Sequence, residues 1–336
     1  MNEKLLYFLS FITTKYINLL GKRSYPFKKI LIFKLDEIGD LVTSLPVFYN
    51  IHSQYPHAKI TLLCKPFNAI FFKNLDYVDS VHSIDEILQQ NDPFDLILDL
   101  RGNKETLDYA LTHRPKYRLD RGSIRLKNKF LGGQKNEIDT NLEVISPIIG
   151  GELQKSNKIH LSTDETNKIN KFIELEGLKQ FAIIHIGARD KARRWPIDRF
   201  QEIINYINTQ YSISCVLVGG MDDQKLNDEC LQGVINKNNR NVAGEFNLIE
   251  YTALCTKATI FIGNESGPLH IAAAQNTPNI ALFGPGVKGV FYPQNDKSIV
   301  HHYFLATGHK SQTIDNSTIF SITTSEVIQS IDRLLS

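Results

Sequence analysis

Seven short runs of mostly apolar residues punctuate this chain, at Ile30–Phe33, Lys59–Leu63, Leu96–Leu100, Phe181–Ile186, Ile213–Val218, Thr259–Ile262 and Asn279–Phe283. Amphipathic stretches of helical period separate most of them. After Phe33, for instance, a polar turn bearing Gly39 leads into Leu41, Val42, Leu45, Val47, Phe48 and Ile51. A strand that is apolar on both faces must be covered on both, which parallel sheets flanked by helices achieve. The expected fold is therefore α/β and doubly wound, with sites beyond the carboxyl ends of the strands.

A length of 336 residues favours two such domains over one. The glycine pair Gly150-Gly151 and the polar residues through Ser156 separate the halves, giving expected domains at 1–157 and 158–336. The second half starts afresh: Thr163-Asp-Glu-Thr opens a helix that Gly177 closes, and Phe181 begins a new strand. The segment Ser325–Leu335 reads as an amphipathic helix that would brace the domains. With 42% hydrophobic and 22% charged residues, the composition excludes a disordered chain. No fixed-period repeat points to a solenoid.

A net charge of +2 does not by itself argue for nucleic acid. Its distribution is uneven. From Met1 to Lys34 there are seven basic residues (Lys4, Lys15, Lys22, Arg23, Lys28, Lys29, Lys34) against Glu3 alone. Between Arg101 and Lys135 there are ten (Arg101, Lys104, Arg114, Lys116, Arg118, Arg121, Arg125, Lys127, Lys129, Lys135) against Glu105, Asp108 and Asp120. Such a stretch would attract a polyanion, and no recognised RNA-binding module accompanies it. The cysteines, Cys64, Cys215, Cys230 and Cys255, are too far apart for a metal cluster or redox pair, so no metal site and a reducing cytoplasm are expected. At the start of the chain, apolar residues at 5, 8, 9, 12, 16 and 19 follow helical spacing, broken by Ser10, Thr13, Thr14, Lys15 and Asn18. The run does not span a bilayer and carries no small-residue cleavage site. Residues 1–25 form either an interfacial helix, with lysines meeting anionic lipid, or a helix packed on its own domain.

Four segments could carry chemistry. Lys34-Leu-Asp-Glu-Ile-Gly-Asp40, at the end of the first strand, places Asp36, Glu37 and Asp40 on a loop entering a helix, where Asp40 is either a general base or a helix cap. His185-Ile-Gly-Ala-Arg-Asp-Lys-Ala-Arg-Arg-Trp-Pro196 follows another strand with four cations, Arg189, Lys191, Arg193 and Arg194, suited to a diphosphate or simply solvated. Val216-Leu-Val-Gly-Gly-Met-Asp-Asp223 sets an acid after a glycine turn, the arrangement that binds ribose hydroxyls or merely starts a helix. Thr259-Ile-Phe-Ile-Gly-Asn-Glu-Ser-Gly-Pro-Leu-His-Ile-Ala-Ala-Ala274 reads strand, small-residue loop, helix, with Ser266, Gly267 and the amides before His270 forming a phosphate cradle. Gly284-Pro-Gly-Val-Lys-Gly289 matches a dinucleotide fingerprint formally, but Pro293 follows and no acid sits at the required spacing. No Walker loop or nucleophile elbow is present.

These segments, in this order, resemble the ADP-heptose:lipopolysaccharide heptosyltransferases, family 9 of the glycosyltransferases. Its most specific parts are Ile38-Gly-Asp-Leu-Val with Leu45-Pro46, Arg193-Arg-Trp-Pro196, and Gly263-Asn-Glu-Ser-Gly-Pro-Leu-His270 running to Ala281-Leu-Phe-Gly-Pro285. The resemblance implies a GT-B fold: two Rossmann-like doubly wound domains facing a central cleft, acceptor domain first and nucleotide-sugar domain second. It also implies inverting transfer without metal or other cofactor, a donor such as ADP-heptose, and a lipid A/core acceptor. The implied location is cytoplasmic, peripheral at the inner face of the bacterial inner membrane.

By position, Asp40 matches the family's catalytic base. Arg193 stands where the family usually has a phosphate-binding Lys, Asp223 matches the ribose-binding acid, and Ser266, Gly267 and His270 the diphosphate loop. Glu265 stands where the family usually has Asp beside the donor sugar, a methylene longer and able to change which hydroxyls it holds. The basic stretch, with Arg101, Arg118 and Arg121, would line an anionic acceptor site. The alternatives are a GT-B-like nucleotide-sugar binding protein without turnover, a family member using another donor sugar, and a hydrolase or epimerase of sugar nucleotides.

Overall fold

The computed structural model describes residues 3–21, 26–83, 86, 93–131, 133–236, 238–304 and 317–336. Lys22 and Arg23, counted in the basic N-terminal segment, lie outside the described residues. The chain divides into two compact units after His160.

The first unit opens with α1 (Glu3–Leu20), followed by β1 (Lys29–Lys34), α2 (Ile38–Val42), α3 (Leu45–Gln54), β2 (Lys59–Cys64), β3 (Ser80–His82), β4 (Leu96–Asp99), α4 (Lys104–His113), β5 (Tyr117–Asp120), α5 (Arg121–Phe130) and α6 (Glu137–Ile145). Its five strands are all parallel, in the order β3-β2-β1-β4-β5. Chain direction across the sheet therefore reverses between β1 and β4, and the crevice beyond their carboxyl ends is where such sheets bind ligands. Ile30, Leu31, Ile32 and Phe33 are fully buried, as a strand covered on both faces requires.

The second unit contains α7 (Thr163–Leu175), β6 (Phe181–His185), α8 (Ile197–Tyr211), β7 (Ser214–Leu217), α9 (Gln224–Gln232), β8 (Arg240–Asn241), α10 (Leu248–Lys257), β9 (Ile260–Asn264), α11 (Gly267–Ala274), β10 (Asn279–Phe283), β11 (Ser298–His302) and α12 (Thr324–Leu335). Its sheet is again wholly parallel, ordered β11-β10-β9-β6-β7-β8, and reverses between β6 and β9. A full capping box, Ser162 with Glu165, starts α7 where the sequence pattern places it. Val327 and Ile331 of α12, the helix expected to brace the two domains, pack in the second unit's core with Ile319, Ile322 and Trp195.

Of the two readings of the N-terminal segment, the structure shows a helix packed on its own unit. The helix packs against α5 and β5 through a side on which buried Ser10, Thr13 and Thr14 stand with Tyr7 and Ile17. Ser10 Oγ and Thr14 Oγ1 donate to the two carboxylate oxygens of buried Asp120 at 2.7 and 2.6 Å. Arg118 donates to the Ser10 carbonyl at 3.2 Å and to Asp99 at 2.6 Å, and its backbone exchanges hydrogen bonds with the Asn18 side chain. The apolar stripe at 5, 8, 9, 12, 16 and 19 faces outward. Among the described residues, no helix is long and apolar enough to cross a membrane.

Arg118 thus anchors α1 from a fully buried position between Asp99 and Asp120. Replacing it with methionine would strand both carboxylates out of water, and losing one partner of a buried ion pair costs about 3–5 kcal/mol. Arg118→Met should lower the urea midpoint of the first unit accordingly, whereas Lys104→Met, on an exposed pair with Asp108, should leave it nearly unchanged.

Candidate active site

In the first unit the chain leaves β1 at Lys34, whose ammonium is fully buried and lies 2.9 Å from Asp36. Asp36 is also bonded by Arg101, which follows β4, and approached at 3.4 Å by Arg121 from the first turn of α5. Arg121 in turn pairs with Glu137 of α6 at 2.6 Å, and Arg125 holds the second Glu137 oxygen at 2.9 Å. Burial opposes ionisation of Asp36 and Glu137, but the surrounding cations outweigh it and hold both carboxyls below their ordinary range. Glu37 is engaged by Lys65.

Asp40 differs from these acids. It occupies the first turn of α2, whose N-cap position belongs to Glu37, so Asp40 is not the cap. Its side chain is 26% exposed and faces Arg121 at 3.7 Å. Burial pushes its carboxyl up, the charges of Asp36 and Glu137 add to that, and Lys34 and Arg121 pull the other way; the net direction is upward. A carboxylate raised toward neutrality, partly exposed at the reversal point of a parallel sheet, is suited to take a proton from a hydroxyl.

The three arginines expected to line an acceptor site separate here. Arg118 is wholly interior and pinned to α1, and Arg121 is 1% exposed and committed to acids, so neither presents its charge to a polyanion. Arg101 remains exposed, with one guanidinium nitrogen on Asp36. Much of the rest of the basic stretch is answered from outside it: Lys116 pairs with Asp95 at 2.7 Å, and Lys127 with Glu143 at 2.7 Å. The count within that window overstates the exposed charge because the partners lie elsewhere in sequence.

In the second unit the corresponding point lies between His185, ending β6, and Glu265-Ser266, following β9. Buried Asn264 ties the two loops together: its amide donates to the Ile186 carbonyl at 2.9 Å, and its oxygen accepts from the Trp195 backbone N–H at 3.0 Å. Trp195 Nε1 is itself spent on the Ile322 carbonyl at 2.9 Å, so the ring anchors the basic loop and does not face a ligand. Of the loop's cations, Arg194 donates to the Ala188 carbonyl, while Arg193 lies 3.4 Å from Glu265.

Ser266 is the N-cap of α11 but makes no side-chain cap; its hydroxyl sits 3.0 Å from His185 Nδ1. Burial, with Arg194 adding and Asp223 opposing, drives the His185 pKa down to about 4, so the ring is neutral. Helix α11 therefore begins without a side-chain acceptor over its first amides, an arrangement that favours an anion there. His270, also neutral with a pKa lowered by burial to about 4, is buried in the same helix against Phe291. Asp223 accepts from the Gly220 N–H at 3.0 Å, and a Cβ at Gly187 or at Gly219, which has φ of +153°, would collide with its carboxylate. Those two glycines are what allow the acid to sit against the β6 and β7 ends.

The model of glycosyltransferase family 9 (heptosyltransferase) matches residues 90–316, more than half of the chain. The chain belongs to that family. It is 24% identical over 329 residues to lipopolysaccharide heptosyltransferase 3 of Escherichia coli, covering 88% of this chain and 96% of that one. It is likewise 24% identical over 305 residues to lipopolysaccharide heptosyltransferase 1 of Campylobacter coli, covering 81% and 89%. The fold is that of a family 9 glycosyltransferase from Veillonella parvula (TM-score 0.76, 19% identity, 92% of this chain and 97% of that one) and of the E. coli ADP-heptose heptosyltransferase II (0.73, 20%, 91% and 98%). The chain is accordingly a GT-B glycosyltransferase. Arg193 and Glu265, the two positions where the resemblance leads one to expect other residues, are the two partners of one ion pair.

Lys34, Asp36 and His185 stand inside the sequence motifs with strand-end position as their only signal, whereas Glu137 carries none because its partners are remote in sequence. Because Glu137 raises the Asp40 carboxyl, Glu137→Gln should move the Asp40 pKa downward, and the released Arg121 would reinforce that direction. Carboxyl NMR titration of Asp40 in the two proteins checks this.

Proposed function

We propose that this glycosyltransferase moves a heptose from ADP-heptose to the core of a lipopolysaccharide acceptor, with inversion and without a metal ion, at the cytoplasmic face of the bacterial inner membrane. The observation that carries the reading is Asp40: a partly exposed carboxylate, raised by burial, at the reversal point of the first sheet. The names of the family 9 relatives support the choice of substrates.

In this reading Asp40 removes the proton of an acceptor hydroxyl as its oxygen attacks the anomeric carbon, and the bond to the nucleoside diphosphate breaks. Lys34 and Arg121 oppose the upward push that burial gives the Asp40 carboxyl, which favours the ionised form that accepts the proton. Charge developing on the departing diphosphate is met by Arg193 and by the first amides of α11, with Ser266, Gly267 and His270 beside them. Asp223 takes the ribose hydroxyls, Glu265 the sugar, and Arg101 an anionic group of the acceptor. Inversion follows from a single displacement with one base, since retention requires a second covalent step.

Incubation of the protein with ADP-heptose and a delipidated core oligosaccharide, read by NMR of the new linkage, tests the proposal. The expected product has the anomeric configuration opposite to the donor's and forms at the same rate in EDTA. A retained configuration, or loss in EDTA with rescue by magnesium, overturns the mechanism, and donor binding without turnover returns the binding-protein reading.

Two substitutions should separate the roles of the units. Asp40→Asn should lower kcat by about 10²–10⁴-fold, the range for a lost general base, with ADP affinity intact by calorimetry. Arg193→Ala should weaken ADP binding by about 10- to 100-fold, as expected for a charge-assisted hydrogen bond of about 1.5–3 kcal/mol.

A further inference from the structure

Helix α1 is amphipathic in the reverse of the usual sense. A helix on a globular unit normally buries its apolar stripe and wets its polar one. Here Ser10, Thr13 and Thr14 are buried together with Tyr7 and Ile17, while Leu5, Phe8, Leu9, Ile12, Tyr16, Leu19 and Leu20 are exposed, Leu19 by 83%. The polar side is held by the hydrogen bonds of Asp120 and Arg118, so the orientation is specified by buried partners. A contiguous apolar face of this kind marks an interaction surface.

The surroundings of the face indicate what covers it. Lys4 and Lys15 are exposed, about three turns apart and therefore along one edge of the apolar stripe. Lys129 of α5 lies over the Tyr7 ring at 5.0 Å. That contact brings the end of α5 beside the first turns of α1, and there Phe130 and Leu131 are exposed by 82% and 75%. Apolar side chains edged by lysines suit the boundary between acyl chains and anionic headgroups, into which lysine stems extend while their ammonium groups stay wet. A second copy of α1 fits less well, because Glu3 is the helix's only acid and the lysines would meet lysines.

We propose that the outward face of α1, together with Phe130 and Leu131, docks this protein on an anionic lipid bilayer, lying in the interface without crossing it. The inference deepens the proposed function and rests on it for the bilayer as occupant, since a lipid-linked acceptor is presented at such a surface. Docking through α1 would set the first unit, and with it Asp40, against the acceptor's membrane.

Vesicles of phosphatidylcholine, with and without phosphatidylglycerol and with no acceptor present, test the docking by co-sedimentation of the full chain. The intact protein should bind the anionic vesicles, less as salt is added, because exposed charges are screened within about 10 Å at 0.1 M. Lys4→Glu/Lys15→Glu should weaken binding by about fivefold per lysine or more. Phe8→Ser/Ile12→Ser should weaken it by about tenfold or more. Both variants should retain the intact protein's thermal transition and its transfer to delipidated oligosaccharide, since they alter only outward side chains. The proposal is overturned if the intact chain ignores both vesicles, if the variants bind as well as the intact chain, or if the face instead joins two copies in a dimer that Phe8→Ser/Ile12→Ser dissociates. Vesicle binding with these dependences supports the docking surface even if no heptose transfer is found, in which case the substrate assignment alone fails.

Discussion

The guanidinium of Arg121 is the constraint around which the first unit's site is arranged. A cation this deeply buried is tolerated only when carboxylates replace the water it has lost. Those carboxylates come from three separate places: Asp36 beyond β1, Asp40 in α2 and Glu137 in α6. Satisfying one charge therefore fixes the end of β1 relative to α5 and α6. Lys34, Arg101 and Arg125 complete the cluster, and Asp40 is its one acid that is both raised and partly open to solvent. Like carboxylates are set apart here by the charges around each one, Asp36 and Glu137 held down and Asp40 raised.

The second unit solves a different problem with neutral groups. Asn264 joins the β6 and β9 loops by hydrogen bonds. Arg193 of the basic loop lies 3.4 Å from Glu265. The resemblance to the family leads one to expect Lys and Asp at these positions, both shorter or less extended groups. A longer acid opposite a planar guanidinium keeps an ion pair possible across the same two loops. The two expected departures thus fall on the two partners of one pair.

The seven apolar runs identify seven of the eleven strands among the described residues because a buried parallel strand writes its environment into consecutive residues. Strands β3, β5, β8 and β11 escape that signal, being short or carrying polar residues, as in Tyr-Arg-Leu-Asp of β5. The motifs were legible for a related reason: strand ends at the reversal point are where loops approach a ligand, so Asp40, Asp223 and Ser266 stand out by position. The paired charges were not legible. Arg118 and Arg121 look like members of a basic rim until Asp99, Asp36 and Glu137 come into view, and nothing in a local window announces those partners.

Helix α1 shows the same limit in another form. Periodicity locates an apolar stripe and a polar stripe but is silent on which one faces the protein, and the usual inference assumes that the apolar stripe does. The assumption fails where the surface below offers buried hydrogen-bonding partners of its own. Asp120 is such a partner: its two oxygens accept from Ser10 and Thr14, and from Ser123 in the first turn of α5. An acid placed there would be costly under a layer of leucines and is satisfied under hydroxyls. The polar stripe of α1 is therefore complementary to its own unit, and the apolar stripe is left to whatever lies beyond it.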